Sequence, residues 1–122
     1  SSLRVLVVDD NKTLAWVLRR SLIERGYLCG VAHSEEEGIA AVEMNTFHAV
    51  VADLHLHEGN GMTLLRKVKD RAPNAIRILI SGSIRPGEKI DHAVVHGHLA
   101  KPVAAHELHM MIERNRRPSA PG

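Results

Sequence analysis

The sequence predicts a doubly wound α/β fold, a five-stranded parallel sheet in the order 2-1-3-4-5 with helices on both faces. Two observations carry this. Short apolar, β-branched runs, such as "LRVLVV" at 3–8, "HAVVAD" at 48–53 and "AIRILIS" at 75–81, alternate with stretches whose apolar residues recur at helical spacing. The intervals between runs are long enough for right-handed crossovers, which parallel neighbours require. A chain of 122 residues is the size of one domain and long enough to bury a core.

The elements follow in order. "LRVLVV" is the first strand, and Leu14, Val17, Leu18 and Leu22 trace the first helix, which Gly26 stops. "YLCGVA" at 27–32 is a weaker second strand. Ser34 with Glu37 three residues on has the form of a capping box for a second helix to about Met44. "HAVVAD" is the third strand, and Leu64, Leu65, Val68 and Ala72 mark a third helix that Pro73 closes. "AIRILIS" is the fourth strand, Pro86 to Val95 the fourth helix and "GHLAK" at 97–101 the fifth strand. Leu108, Met111 and Ile112 define the last helix. The domain is expected to occupy 1–115. The basic, then Pro/Ser/Ala/Gly-rich tail at 116–122 is expected to be an exposed linker leading to an output domain.

Composition narrows the function. Hydrophobic residues at 44% and charged residues at 25% are ordinary for a globular chain, and a net charge of +2 does not point to direct nucleic-acid binding. No apolar run approaches the ~20 residues that span a bilayer, and the N-terminal residues lack a signal peptide's basic and apolar blocks. The single cysteine, Cys29, cannot form an internal disulfide and fits a reducing compartment. The expected location is cytoplasmic, without a membrane partner.

In a sheet of this order, ligands bind beyond the carboxyl ends of the strands flanking the switch point between strands 1 and 3. The residues there are Asp9, Asp10 and Asp53, and strands 4 and 5 deliver Ser81 and Lys101 to the same edge. Three clustered carboxylates repel one another unless a cation neutralises them, and an all-oxygen donor set suits a hard ion such as Mg²⁺. Asp53 could then attack a phosphorus atom. Lys101 and the ion would stabilise the transferring group's oxygens, and Ser81 would donate a hydrogen bond. No general base is needed, because a carboxylate is already ionised at neutral pH.

Taken together, "VLVVDD", the loop "DLHLHEGNGMTL" from Asp53, "LISGS" and "LAKP" resemble, in that order, the motifs of the response-regulator receiver domain of two-component signal transduction. The resemblance runs from Leu3 to about Arg114. It implies the flavodoxin-like fold and an Asp53 that accepts a phosphoryl group from a sensor histidine kinase or phosphotransfer protein. It also implies Mg²⁺ held by Asp10, Asp53 and the backbone carbonyl of His55, with Asp9 helping through water, and phosphoryl contacts from Ser81 and Lys101. Such a domain is a signalling switch that catalyses its own phosphorylation and dephosphorylation, not a turnover enzyme. Its output face would be the fourth helix, fifth strand and last helix, through which a homodimer or a partner would assemble. Three features depart from the family. His57 stands where proline is common, removing a φ restraint, His98 stands where the family's switch residue is usually Tyr or Phe, and "AVVHGH" at 93–98 lacks the common Gly-Ala pair, so an irregular fourth helix and connection are expected.

Other readings weigh less. His55 and His57 would share a face on a strand and so suit a zinc site, but they follow the strand into a glycine-containing loop. A flavodoxin-like cofactor binder would want a phosphate loop where this chain has two carboxylates, and more aromatics than Trp16, Tyr27 and Phe47. A receiver-like interaction module that acts by binding, without phosphorylation, is the main rival. His92, His96, His98, His106 and His109 fall in the expected output region. They form a solvated face or, on a sharper reading, a pH-dependent association surface.

Overall fold

The structure, a computed structural model, describes residues 2–116, so most of the expected linker at 116–122 lies outside the described residues. Five strands, β1 (Arg4–Val8), β2 (Leu28–Ala32), β3 (Ala49–Asp53), β4 (Ile76–Ser81) and β5 (Gly97–Ala100), form one parallel sheet in the order β2-β1-β3-β4-β5. Four helices accompany them, α1 (Lys12–Glu24), α2 (Glu35–Met44), α3 (Gly61–Arg71) and α4 (Ala105–Asn115).

Every residue of β3 and β4 is buried, which is why those strands read as nearly continuous apolar runs, interrupted by Arg77 and ended by Asp53 and Ser81: a parallel sheet covered on both faces has no polar side. Successive residues feed opposite cores. Leu6, Val8, Val50, Ala52 and Leu79 pack with Leu64, Leu65 and Val68 of α3 and with partly buried Ile39 and Val42 of α2. Val5, Val7, Val51, Ile78 and Ile80 pack with Ala15, Leu18 and Leu22 of α1 and Leu108, Met111 and Ile112 of α4.

Caps place the helices close to where the sequence predicts. Asn11 accepts from the Leu14 N–H at 3.1 Å, and Asn60 accepts from Met62 and Thr63 at 2.8 and 3.3 Å. Ser34 accepts from Glu37 at 3.1 Å as the capping box requires. The reciprocal bond, however, lands one residue early: the Glu37 carboxylate accepts from the His33 N–H at 2.6 Å instead of from Ser34.

The predicted fourth helix at 86–95 does not form. Pro86 is followed by Gly87 at φ +84°, a left-handed conformation that breaks any helix entering from Arg85. What remains is one turn, in which Val94 and Val95 donate to the Asp91 carbonyl at 2.9 and 3.0 Å and the Asp91 carboxylate accepts from Ala93 at 2.9 Å. The run is too short to offset helix nucleation. Tertiary contacts hold it instead. The buried guanidinium of Arg77 donates to the Val94 carbonyl at 2.6 Å and to the Pro73 and Ala75 carbonyls at 3.1 and 2.9 Å, while Val94 and Val95 are buried against the α2/α3 core. Burial pulls the Arg77 pKa down, and these carbonyl acceptors compensate the buried charge. The expected output face is therefore β5, α4 and an irregular connection.

On the other face, Tyr27 ties α4 to the end of α1. Its hydroxyl donates to the Glu113 carboxylate at 2.7 Å and meets His109 Nδ1 at 2.9 Å. The bond to Tyr27, opposed by partial desolvation and helped by Arg116, lowers the Glu113 pKa, so this stabilisation is present above the ordinary value of 4.5 and is lost as pH falls through the lowered one. Tyr27→Phe is expected to cost roughly 1 kcal/mol at pH 7 and less below pH 4. Urea unfolding at the two pH values checks both.

Candidate functional site

Because all five strands run in one direction, their carboxyl ends share one edge of the sheet, and the predicted site residues all arrive there. Asp9 and Asp10 follow β1, Asp53 ends β3, Ser81 ends β4, and Lys101 follows β5. The carboxylates of Asp9, Asp10 and Asp53 offer oxygens within 4.8 Å of one another, a grouping fit for a cation.

Lys101 partly neutralises the cluster. Its ammonium lies 2.7 Å from Asp53 Oδ2 and 3.4 Å from Asp9 Oδ2. Burial acts to lower the Lys101 pKa, but the hydrogen bond and charge of Asp53, joined by Asp9, outweigh it and raise the value overall. Asp9 is fully buried. Burial raises its pKa above the ordinary 3.8, against the opposing help of the Asn11 N–H and Lys101. Its Oδ1 accepts from Asn11 at 2.9 Å, but its Oδ2 has only the longer ion pair and no hydrogen-bond partner. An under-satisfied buried carboxylate oxygen in a cluster of three acids fits a hard divalent cation such as Mg²⁺ or Ca²⁺.

The loop after β3 frames the cluster. The His55 N–H donates to Asp53 Oδ1 at 3.2 Å, which places the His55 backbone beside the acids. Gly61 opens α3 directly against the backbone of Asp53: a Cβ there would overlap the Asp53 carbonyl oxygen, so only glycine lets α3 start so close. His57, where proline is common in the family, uses the N–H that proline lacks: it donates to Asp10 Oδ2 at 2.7 Å. A lost φ restraint is thus accompanied by a direct tie between the loop and an acid of the site.

Ser81 is engaged elsewhere. Its hydroxyl is hydrogen-bonded to His98 Nε2 at 2.8 Å, so the two residues expected to form the switch are in direct contact. Burial, aided by His92, lowers the His98 pKa below the ordinary 6.5 and favours a neutral ring. The lesser, zinc reading of His55 and His57 is not supported: His55 is paired with Glu88 at 2.8 Å, His57 is exposed, and the metal-competent cluster among the described residues contains acids alone. Of the histidines of the output region, His92, His96 and His106 are exposed, His96 also accepting from the Arg77 N–H at 2.9 Å, while His98 and His109 are half-buried and bond to Ser81 and Tyr27.

Sequence reasoning missed Glu88 and His33, whose Nδ1–H donates to the Asp9 carbonyl at 3.1 Å. Glu88 lies 33 residues from its partner His55, in a stretch expected to be helical, so no local spacing pointed to the pair.

Comparison with known proteins agrees with the geometry. The model of the response regulator receiver domain family matches residues 5–113. Among curated proteins, the sensory/regulatory protein RpfC of Xanthomonas campestris is 28% identical over 113 residues, 88% of this chain and 16% of that protein. The DNA-binding transcriptional regulator NtrC of Salmonella typhimurium is 28% identical over 116 residues, 90% of this chain and 24% of that protein. The chain thus spans about a quarter or less of these two relatives. Among solved structures, a CheY-like receiver domain protein from Methanospirillum hungatei superposes with a TM-score of 0.84 at 25% identity, covering 93% of both chains. A response regulator from Burkholderia pseudomallei, solved with a phosphorylated aspartic acid, a calcium ion and citrate, gives 0.81 at 28% identity over 93% of this chain and 68% of that one.

If the acidic cluster binds Mg²⁺, saturating ion should stabilise the fold, by about 2.7 kcal/mol at a hundredfold excess over Kd. Asp9→Asn is expected to raise the Tm without divalent ions, by removing a buried charge, and to shrink the gain that Mg²⁺ gives. Thermal unfolding with and without the ion measures both.

Proposed function

Since the chain belongs to the response regulator receiver domain family, we propose that it is a phosphorylation-dependent switch in which Asp53 accepts a phosphoryl group from a sensor histidine kinase or a phosphotransfer protein. The observation that carries this is the Asp53 carboxylate, 4% exposed at the end of β3, with Oδ2 on the Lys101 ammonium and two further acids beside it. The solved Burkholderia pseudomallei relative, with its phosphorylated aspartic acid and calcium ion, supports the same chemistry here.

In the transfer, an Asp53 carboxylate oxygen bonds to phosphorus. The bond from phosphorus to the donor breaks, and the donor nitrogen keeps the electron pair. Lys101 then lies where negative charge collects on the phosphoryl oxygens. Mg²⁺, held by Asp9, Asp10, Asp53 and the His55 carbonyl, would neutralise the acids and offset the charge on the phosphoryl group. Ser81 would leave His98 and donate to a phosphoryl oxygen, and a released His98 would reorganise β5 beside the helix-free connection. The output is read from that face, by a homodimer, a partner protein or an attached domain.

A binding-only module draws on one observation. Asp10 is occupied by the His57 N–H and the Ser81 hydroxyl by His98, so two groups of the site are already engaged within the chain.

Intact mass after incubation with acetyl phosphate separates the two readings. A phosphorylation switch gains one phosphoryl group, requires Mg²⁺, and shows no gain in Asp53→Ala; a folded, Mg²⁺-binding protein with no gain favours the binding-only module. The rates test the role of Ser81. Ser81→Ala should slow phosphorylation roughly tenfold, less than the hundredfold or more lost with a preorganised oxyanion donor, because the hydroxyl must first leave His98. His98→Phe, which frees that hydroxyl, should speed it.

A further inference from the structure

β2 is an edge strand, paired to β1 on one side alone. The Leu28 N–H donates to the Leu3 carbonyl at 2.9 Å, and the Ala32 carbonyl accepts from the Asp9 N–H at 3.0 Å, so residues 28, 30 and 32 turn their backbone groups toward β1. Cys29 and Val31 turn theirs to the open edge. There the Cys29 carbonyl accepts from Arg19 Nε at 3.1 Å, while the Cys29 N–H and both backbone groups of Val31 have no hydrogen-bond partner among the described residues.

A cleft of about 430 Å³ follows this edge, with Ile23, Leu28 and Phe47 in its apolar lining and Arg4 and Arg19 as its charges; among the described residues no carboxylate lines it. The two guanidinium groups stand on opposite faces of the sheet. Arg19 belongs to α1, which packs on Val5 and Val7, whereas Arg4 alternates with them on the face of Leu6 and Val8. Arg4 Nη1 reaches the neutral Asn45 Oδ1 at 3.4 Å, and the Arg19 guanidinium lies 4.9 Å from the Trp16 ring centroid. Neither arginine makes an ion pair among the described residues. Two unneutralised cations beside an apolar floor and unpaired backbone groups call for an extended chain that carries acids. A second copy does not meet that need: pairing two β2 edges about a two-fold axis sets α1 beside α1 on one face and brings Arg19 against Arg19.

We propose that the β2 edge is a docking site for an extended acidic segment of a partner protein, which adds a sixth strand to the sheet. Its backbone accepts from the Cys29 and Val31 N–H groups and donates to the Val31 carbonyl. Its carboxylates pair with Arg19 on one face and Arg4 on the other, and its apolar side chains cover Ile23 and half-exposed Leu28. Arg4 and Leu28 start their strands, whereas Asp53 ends β3, so the cleft lies toward the opposite edge of the sheet from the acidic cluster. The docking therefore does not depend on Asp53 being a phosphoacceptor.

The test titrates the nitrogen-labelled protein with the end-capped peptide Glu-Glu-Val-Val-Glu-Glu, whose neighbouring acids face both sides of a strand, and follows amide shifts and hydrogen exchange by NMR. Shifts should centre on Cys29 to Val31, and exchange of the Cys29 and Val31 amides should slow severalfold at saturation. Arg4→Gln and Arg19→Gln should each weaken binding severalfold with urea midpoints close to that of the wild-type protein, since Gln removes the charge but can keep the neutral hydrogen bond. Added salt should weaken binding as well. The same peptide methylated on alternate backbone nitrogens should lose most of its affinity, which a purely electrostatic contact would not show. Absence of shifts at millimolar peptide, equal binding of Lys-Lys-Val-Val-Lys-Lys, or unslowed exchange at Cys29 and Val31 overturns the proposal. So does a concentration-dependent dimer that gives the same shifts without peptide, because the edge then belongs to a second copy.

Discussion

The site depends on one electrostatic constraint: of three carboxylates with oxygens within 4.8 Å of one another, the two buried ones, Asp9 and Asp53, share the Lys101 ammonium. Lys101 leaves the cluster with net negative charge in a partly desolvated place, where repulsion is strong. This makes the edge of the sheet ready for a cation and for a group carrying its own counter-ion. It also accounts for the short tethers around it, since the N–H groups of Asn11, His55 and His57 each give one hydrogen bond to one of the three acids. The parallel sheet supplies the geometry, because strands that all run one way must deliver their last residues to one edge.

Much of this was legible in the sequence because it is local. Asp9, Asp10, Asp53, Ser81 and Lys101 each sit at the end of an apolar run, and counting strand ends in a parallel sheet is enough to bring them together. The two cores follow from the alternation within those runs. What was not legible depends on partners distant in sequence or on a balance of weak terms. The stretch 86–95 has helical spacing in Ile90, Val94 and Val95, yet the Pro86–Gly87 turn leaves too few residues, and the Val94 carbonyl, which a helix ending at 95 would leave without an internal partner, is taken by the distant Arg77. The contact of Glu88 with His55 and that of Tyr27 with Glu113 join residues 33 and 86 positions apart, which no periodicity encodes.

The two histidine departures from the family pattern have opposite local effects. At His57 the exchange adds a backbone donor, and the loop gains a bond to Asp10 that proline could not make. At His98 it adds a ring nitrogen that competes for the Ser81 hydroxyl. A Phe at this position would leave that hydroxyl without a side-chain partner on β5, and a Tyr would offer a single phenolic oxygen at the end of a longer side chain. The imidazole makes Ser81 a shared group, and on the proposed function its hydrogen bond would have to be exchanged before the hydroxyl reached a phosphoryl oxygen.

Such an exchange changes the energetics of switching. Rotating a free hydroxyl toward an anion gains a charge-assisted hydrogen bond at little cost, whereas breaking a bond to a partly buried imidazole first offsets part of that gain. On the proposed function only the difference between the two bonds would drive the change, so the resting and phosphorylated arrangements would lie closer in free energy than for a free hydroxyl. His98 is on β5, and Ser81 is the last residue of β4 before the helix-free connection. A conformational change powered by a small difference needs a segment that is cheap to move, and the earlier part of this connection, a single turn at Arg85–Glu88 outside the buried anchor of Val94 and Val95, meets that need better than a packed helix would.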